Sequence, residues 1–234
     1  MSAIFPKWMN LFPTVSALGG LFGACAIIGG FWYYATPKFW SVGYMPTQPG
    51  GGFSHQLHVG KLGMDCRYCH THVEHSAEAN IPNVSTCIGC HAEDRLQLFQ
   101  TSDAHKAKTQ FVRDAYANDE SIAWRRVHKV PDYVRNFPHQ AHINAGVSCY
   151  SCHGRIDQMP VVYQAQPLSM SWCLDCHRAP EQHMVPREQV TNLHWVETHL
   201  AARRSGTAGA VVTGKQLVDS LKNAPPENCG ACHY

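Results

Sequence analysis

The chain has 234 residues, a formal net charge of +2 and 15% charged side chains. That length suits one or two domains, and so small an excess of positive charge provides no strong field for nucleic acid, so no nucleic-acid partner is expected. Two residue types stand out instead, with 11 cysteines and 16 histidines.

The first segment carries no charge between Trp8 and Pro37. Within it Leu11 to Tyr34 is mostly apolar and exceeds the roughly 20 residues that a helix needs to cross a bilayer. Trp32, Tyr33, Tyr34, Phe39 and Trp40 gather at its far end like an interfacial aromatic belt. Gly19 and Gly23 form G-x-x-x-G, a spacing that lets another membrane helix approach closely. A cleaved signal peptide is the rival reading, but this apolar run is too long and no A-x-A site follows. Gly23-Ala24-Cys25 is half of a lipoprotein signal. The expected division is a membrane anchor over residues 1–36, with its helix at about 11–34, and a Pro/Gly-rich linker over 37–52.

From residue 53 onward the cysteines organise the chain. CRYCH occupies Cys66–His70 and CIGCH occupies Cys87–His91. C-x-x-C-H is a c-type haem attachment sequence. The two thiols form thioethers with the haem vinyl groups, and the adjacent histidine becomes the proximal iron ligand. His55 and His58 stand just upstream, in F-x-H-x-x-H.

The stretch from Ala92 to Val130 has no such motif, and Asp103 to Ala117 has the composition of a helix. The pattern then returns. Phe137 opens a second F-x-H-x-x-H with His139 and His142, followed by CYSCH at Cys149–His153 and CLDCH at Cys173–His177. The two copies, about 53–91 and 137–177, read as an internal repeat. Leu193 to Arg204 and Lys215 to Lys222 read as helices, with a small-residue stretch at 206–214 between them. CGACH at Cys229–His233 is a fifth motif.

Five motifs use ten of the 11 cysteines and leave Cys25 without a role. A disulfide framework does not account for a histidine after every pair. Cys2His2 zinc sites would need a second histidine at set spacing after each pair, which the sequence lacks. The expected cofactors are therefore five covalent haem c groups. They are held by Cys66, Cys69, Cys87, Cys90, Cys149, Cys152, Cys173, Cys176, Cys229 and Cys232, with His70, His91, His153, His177 and His233 on the irons. Five haems in residues 53–234 leave room for little ordinary core. The expected fold is mainly α and irregular, with little sheet. Haem attachment on the outer side of the bacterial inner membrane would put this domain in the periplasm, behind a single-pass anchor.

The duplicated F-x-H-x-x-H resembles the distal-histidine pair of the small multihaem cytochromes of sulfate reducers. Carried over by position, the resemblance implies His55 for the haem of Cys66–Cys69 and His58 for that of Cys87–Cys90, with His139 and His142 doing the same for the second copy. For a fifth distal ligand His128, in WRRVH, is the choice, with Met159, Met170, His194 and His199 as alternatives. His72, His75, His105 and His183 are expected to meet water or haem propionates.

The N-terminal helix, the five motifs, W-R-R-V-H-K-V-P-D-Y and L-S-M-S-W-C-L-D-C-H-R together resemble the pentahaem cytochrome c subunit of bacterial alternative complex III. That resemblance covers nearly the whole chain. It implies an electron-transfer subunit with no catalytic residues of its own. The implied partners are an iron–sulfur subunit, integral membrane quinol-binding subunits and a monohaem cytochrome c. The implied acceptor is a periplasmic cytochrome c or an oxidase. The rival readings are a self-sufficient membrane-anchored quinol dehydrogenase and a multihaem reductase. The first needs a quinol pocket beside the anchor, the second one iron with an open position.

Overall fold

The computed structural model describes residues 6–35, 52–128, 130, 134, 137–207, 214–221 and 223–233. The expected linker at 37–52 lies outside the described residues except for Gly52. So does most of the small-residue stretch at 206–214.

A 3-10 turn at Lys7–Leu11 leads into helix α1, Phe12–Ala35. The span Lys7–Tyr33 is long and apolar enough to cross a membrane, with a mean hydropathy of 1.9 over its most apolar 18 residues. Its apolar residues run all round the helix, and none of its hydrophobic window is buried against the chain. A helix that is apolar on every side needs an apolar surrounding. Ser16 donates its hydroxyl to the Phe12 carbonyl, which satisfies a polar group on that surface without water.

After residue 52 the helices are short. One turn at Gln56–Lys61 winds with π-type bonds. Helix α2 is Cys66–Cys69, α3 Val84–His91 and α4 Glu93–Leu98. Helix α5 is Asp103–Lys108, α6 Gln110–Ala117, α7 His139–Ala145 and α8 Cys149–His153. Helix α9 is Met170–Arg178, α10 Leu193–Arg204 and α11 Gly214–Asp219. Among the described residues the only sheet-like pairing is an isolated bridge, Val147 to Met184.

The single helix expected over Asp103–Ala117 is two. Thr109 breaks it, with its hydroxyl bonded back to the His105 carbonyl at 2.9 Å. A β-branched hydroxyl residue that bonds its own preceding turn competes with the helical ladder.

A small apolar core unites Val73, Ile143, Val185, Val190, Val196 and Leu200. Leu193, Val196 and Leu200 stand at i, i+3 and i+7, so α10 turns one stripe inward. Gly146 ends α7 in the left-handed conformation, with φ 95°. A Cβ there would lie 2.4 Å from the Val185 carbonyl oxygen, so this turn requires glycine. Helix α7 also docks on the first cysteine segment. The His139 and Gln140 amides donate to the Ala77 and Ser76 carbonyls at 3.2 and 3.1 Å, and Asn144 donates to the Glu74 carbonyl at 2.9 Å.

Candidate functional site

Four of the five C-x-x-C-H motifs lie in short α-helices, each with a side-chain cap. Asp65 caps α2, Asn83 caps α3, Ser148 caps α8 and Ser169 caps α9. The caps at the first and third motifs immediately precede the first cysteine. Those at the second and fourth stand four residues before it. The fifth motif opens with a 3-10 turn, Cys229–Ala231, after Asn228. A helical turn sets cysteines three apart on one face with the histidine next in the turn. None of the ten motif cysteines is paired in a disulfide. Burial pushes the Cys152 thiol up to about 12 and raises Cys69, Cys87, Cys173 and Cys176.

The histidines meet in pairs from distant segments. The His58 and His91 rings have centroids 6.2 Å apart, and His142 and His177 are also 6.2 Å apart. A metal–imidazole bond of about 2.0–2.1 Å puts two imidazoles on opposite sides of one metal with centroids roughly 6 Å apart. The fit extends to the other ring nitrogen. His58 Nδ1 pairs with the Ser54 carbonyl at 2.9 Å, His142 with Pro138 at 3.0 Å and His177 with Pro226 at 2.6 Å. His70 pairs with Asn80 at 2.6 Å and His139 with Ala77 at 2.7 Å. A carbonyl on Nδ1 fixes the tautomer and leaves Nε2 free to ligate. Among the described residues no group of three or more His, Cys, Asp or Glu converges as a metal site. Paired imidazoles match an iron whose remaining ligands come from a macrocycle.

The two F-x-H-x-x-H segments share their ring geometry. Phe53 stacks on His58 and Phe137 on His142, each at 4.4 Å, with interplanar angles of 20° and 22°. Each phenylalanine meets the first histidine edge-on, at 4.9 and 5.0 Å.

A denser group of imidazoles surrounds the first and third motifs. Burial, then the neighbouring His70, His58 and His128 rings, brings His55 down to about 4. Burial brings His128 to about 4 and holds His153 well below the ordinary value, with His128, His139, His70 and His55 adding to the effect at His153. The His128 ring stands edge-on to His153 at 4.2 Å, and its Nε2 is buried without a hydrogen-bond partner. His55, His91 and His153 each bury an unpartnered Nδ1. Neutral, desolvated imidazole is the form that binds a metal.

The alternatives for a fifth ligand have other surroundings. Met159 is core, 3% exposed, whereas Met170 is 61% exposed. His199 stacks on Trp195 and accepts at Nε2 from Arg203 at 3.0 Å. His194 lies 3.5 Å from Arg155 at Nδ1. His105 stands nearly parallel to His91 at 5.8 Å, a closeness that no spacing in the sequence announces. The capping residues carried a readable signal, an Asp, Asn or Ser at each helix start.

Residues 135–234 match the family model described as cytochrome c7 and related cytochrome c. The chain therefore carries a multihaem cytochrome c domain, with covalently bound c-type haem and an electron-transfer role. It is similar to the multihaem cytochrome c subunit of a menaquinone reductase from Nitratidesulfovibrio vulgaris (Hildenborough). The two are 28% identical over 179 residues, covering 68% of this chain and 79% of the relative.

Proposed function

We propose that this chain is the electron-relay subunit of a membrane quinol-linked oxidoreductase, with five c-type haems in a periplasmic domain behind a single-pass anchor. One observation carries the reading: two imidazole pairs, His58 with His91 and His142 with His177, share one spacing. They sit in two segments of matching ring geometry, as a duplicated haem-binding unit requires. The domain divisions are those expected from sequence, with the anchor at 1–36, the linker at 37–52 and the haem domain at 53–234.

Haem iron, when bound, supplies a one-electron change of oxidation state. The ten motif cysteines would tether the groups, with His70, His91, His153, His177 and His233 as the adjacent histidine ligands. His58 and His142, which face His91 and His177, would be the second ligands at the second and fourth sites, and His55 and His139 would serve the first and third. At 4.2 Å, His128 is too close to His153 to sit across one iron from it. It lies beside the third site as a buried neutral imidazole. Two imidazoles at each of the first four irons would leave no position there for a substrate, which favours electron transfer over bond chemistry; the fifth iron's distal ligand is a choice among His128, Met159, Met170, His194 and His199. The carbonyls on Nδ1 make these ligands more basic and thereby tune the potentials.

The resemblance to the pentahaem subunit of alternative complex III supplies the partners: an iron–sulfur subunit, quinol-binding membrane subunits, a monohaem cytochrome c and a periplasmic acceptor. Anaerobic quinol addition to the purified chain, and then to the complex that copurifies with it, tests the reading through the visible haem spectrum. Reduction only in the complex supports a relay subunit. Rapid, inhibitor-sensitive reduction of the lone chain makes it a quinol dehydrogenase in its own right. A second reading takes support from the relative's name, menaquinone reductase. There electrons run the other way, from a periplasmic donor toward a quinone, and reduced donor rather than quinol reduces the haems.

A further inference from the structure

The motifs follow one another along the chain in one order, while their contacts in space follow another. We infer that the five sites form a single row in the order second, first, third, fourth, fifth. The inference rests on the reading that each motif holds a haem.

Four links build the row. The first joins the second and first sites. His55 and His58 lie one turn apart beneath Phe53, and His58 faces His91 of the second motif at 6.2 Å. His70 of the first motif is close enough to His55 to act on it electrostatically. The second link joins the first site to the third. The segment after Cys69 receives α7 through the His139 ring on the Ala77 carbonyl at 2.7 Å, two backbone bonds and Asn144. The Cys66 and Cys149 side chains are neighbours.

The third link is α7 itself. It carries His139 toward His153 and His142 toward His177, so one helix joins the third site to the fourth. The fourth link lies at the end of the chain. His177 Nδ1 meets the Pro226 carbonyl at 2.6 Å, and Arg178 pairs with Glu227 at 3.0 Å, just ahead of the fifth motif. Cys232 is the neighbouring thiol of Cys173.

The two copies of the repeat thus meet through their first members, back to back. The second and fifth sites are the ends of the row. An electron entering at either end crosses every site, and loss of the third divides the row into two pairs. A row in chain order would instead put the second site beside the third. The contact between Cys66 and Cys149, and the docking of α7 on residues 74–77, join the first site to the third.

The test uses the whole detergent-solubilised protein, with its haem number first counted by mass. Proton NMR of the reduced form then reads contacts between substituents of different haems. Contacts between first and third, and between fourth and fifth, are the expected result. Contact between second and third without contact between first and third overturns the row. Fewer than five haems by mass counts against the five-haem reading instead, and the first–third contact still decides the order. His58→Met gives an independent arm, since a methionine ligand raises the potential of the second site. In a redox titration the first site's resonances should shift when that site is reduced. A shift seen first at the third or fifth site overturns the order.

Discussion

The imidazoles of His142 and His177 stand 6.2 Å apart although α7 carries one and α9 the other. Each ring is held by a carbonyl on Nδ1, from Pro138 and Pro226 respectively. His142→Ala is therefore expected to turn one haem of the set from low to high spin and leave the others unchanged. His58→Ala should do the same at the second site. His105→Ala, despite its 5.8 Å approach to His91, should leave every site low spin. Electron paramagnetic resonance of the oxidised full-length protein distinguishes the three variants.

His128 supplies a separate test. Its ring touches His153, so His128→Phe should perturb the spectrum and potential of the third site. A variant that perturbs only the fifth site would instead support His128 as the fifth distal ligand. Redox titration followed by site-resolved NMR separates the two outcomes.

Asp65 predicts how the first site responds to acid. It caps α2, and a hydrogen bond from Arg67, with smaller contributions including one from Thr191, holds its carboxyl below the ordinary 3.8. A carboxylate depressed in the folded state contributes stability above the unfolded value and loses it as pH falls through the folded one. Thermal unfolding should therefore show added destabilisation below about pH 4. Asp65→Asn should keep the cap and flatten that part of the curve. Asp65→Ala should cost about 1 kcal/mol at neutral pH through loss of the cap.

Packing and surface pairs should separate cleanly in denaturant unfolding. Leu200 is 2% exposed in the core cluster, so Leu200→Ala should cost about 3 kcal/mol. Arg178 and Glu227 are a solvent-exposed pair, so Arg178→Ala should cost about 0.5 kcal/mol or less.

Gly146→Ala tests the turn that joins α7 to the third motif. The left-handed φ and the Val185 carbonyl both oppose a methyl group there. The expected cost is above about 1 kcal/mol. Because α7 carries both His139 and His142, the third and fourth haem spectra should broaden together.

Much of this was legible in the residues themselves. The chemistry of C-x-x-C-H is local, because thioether formation and the adjacent proximal histidine need only five consecutive positions. The apolar run that became α1 and the stripe that became α10 are equally local, set by side-chain spacing along one helix. Composition alone does not show the Thr109 break in Asp103–Ala117, where a hydroxyl bonds back to the preceding turn.

The residues alone mark the cysteines and histidines expected to hold haem, and a first segment that needs an apolar surrounding. Which histidine faces which is set by tertiary packing. His58 meets His91, His142 meets His177, and His128 meets His153. Those meetings join distant segments through the docking of α7 on residues 74–77 and the bond from His177 to the Pro226 carbonyl. Spacing along a chain records what one turn of helix brings together. Packing of α7 against a segment far from it in sequence, through carbonyls that any residue type can offer, leaves no mark in that spacing.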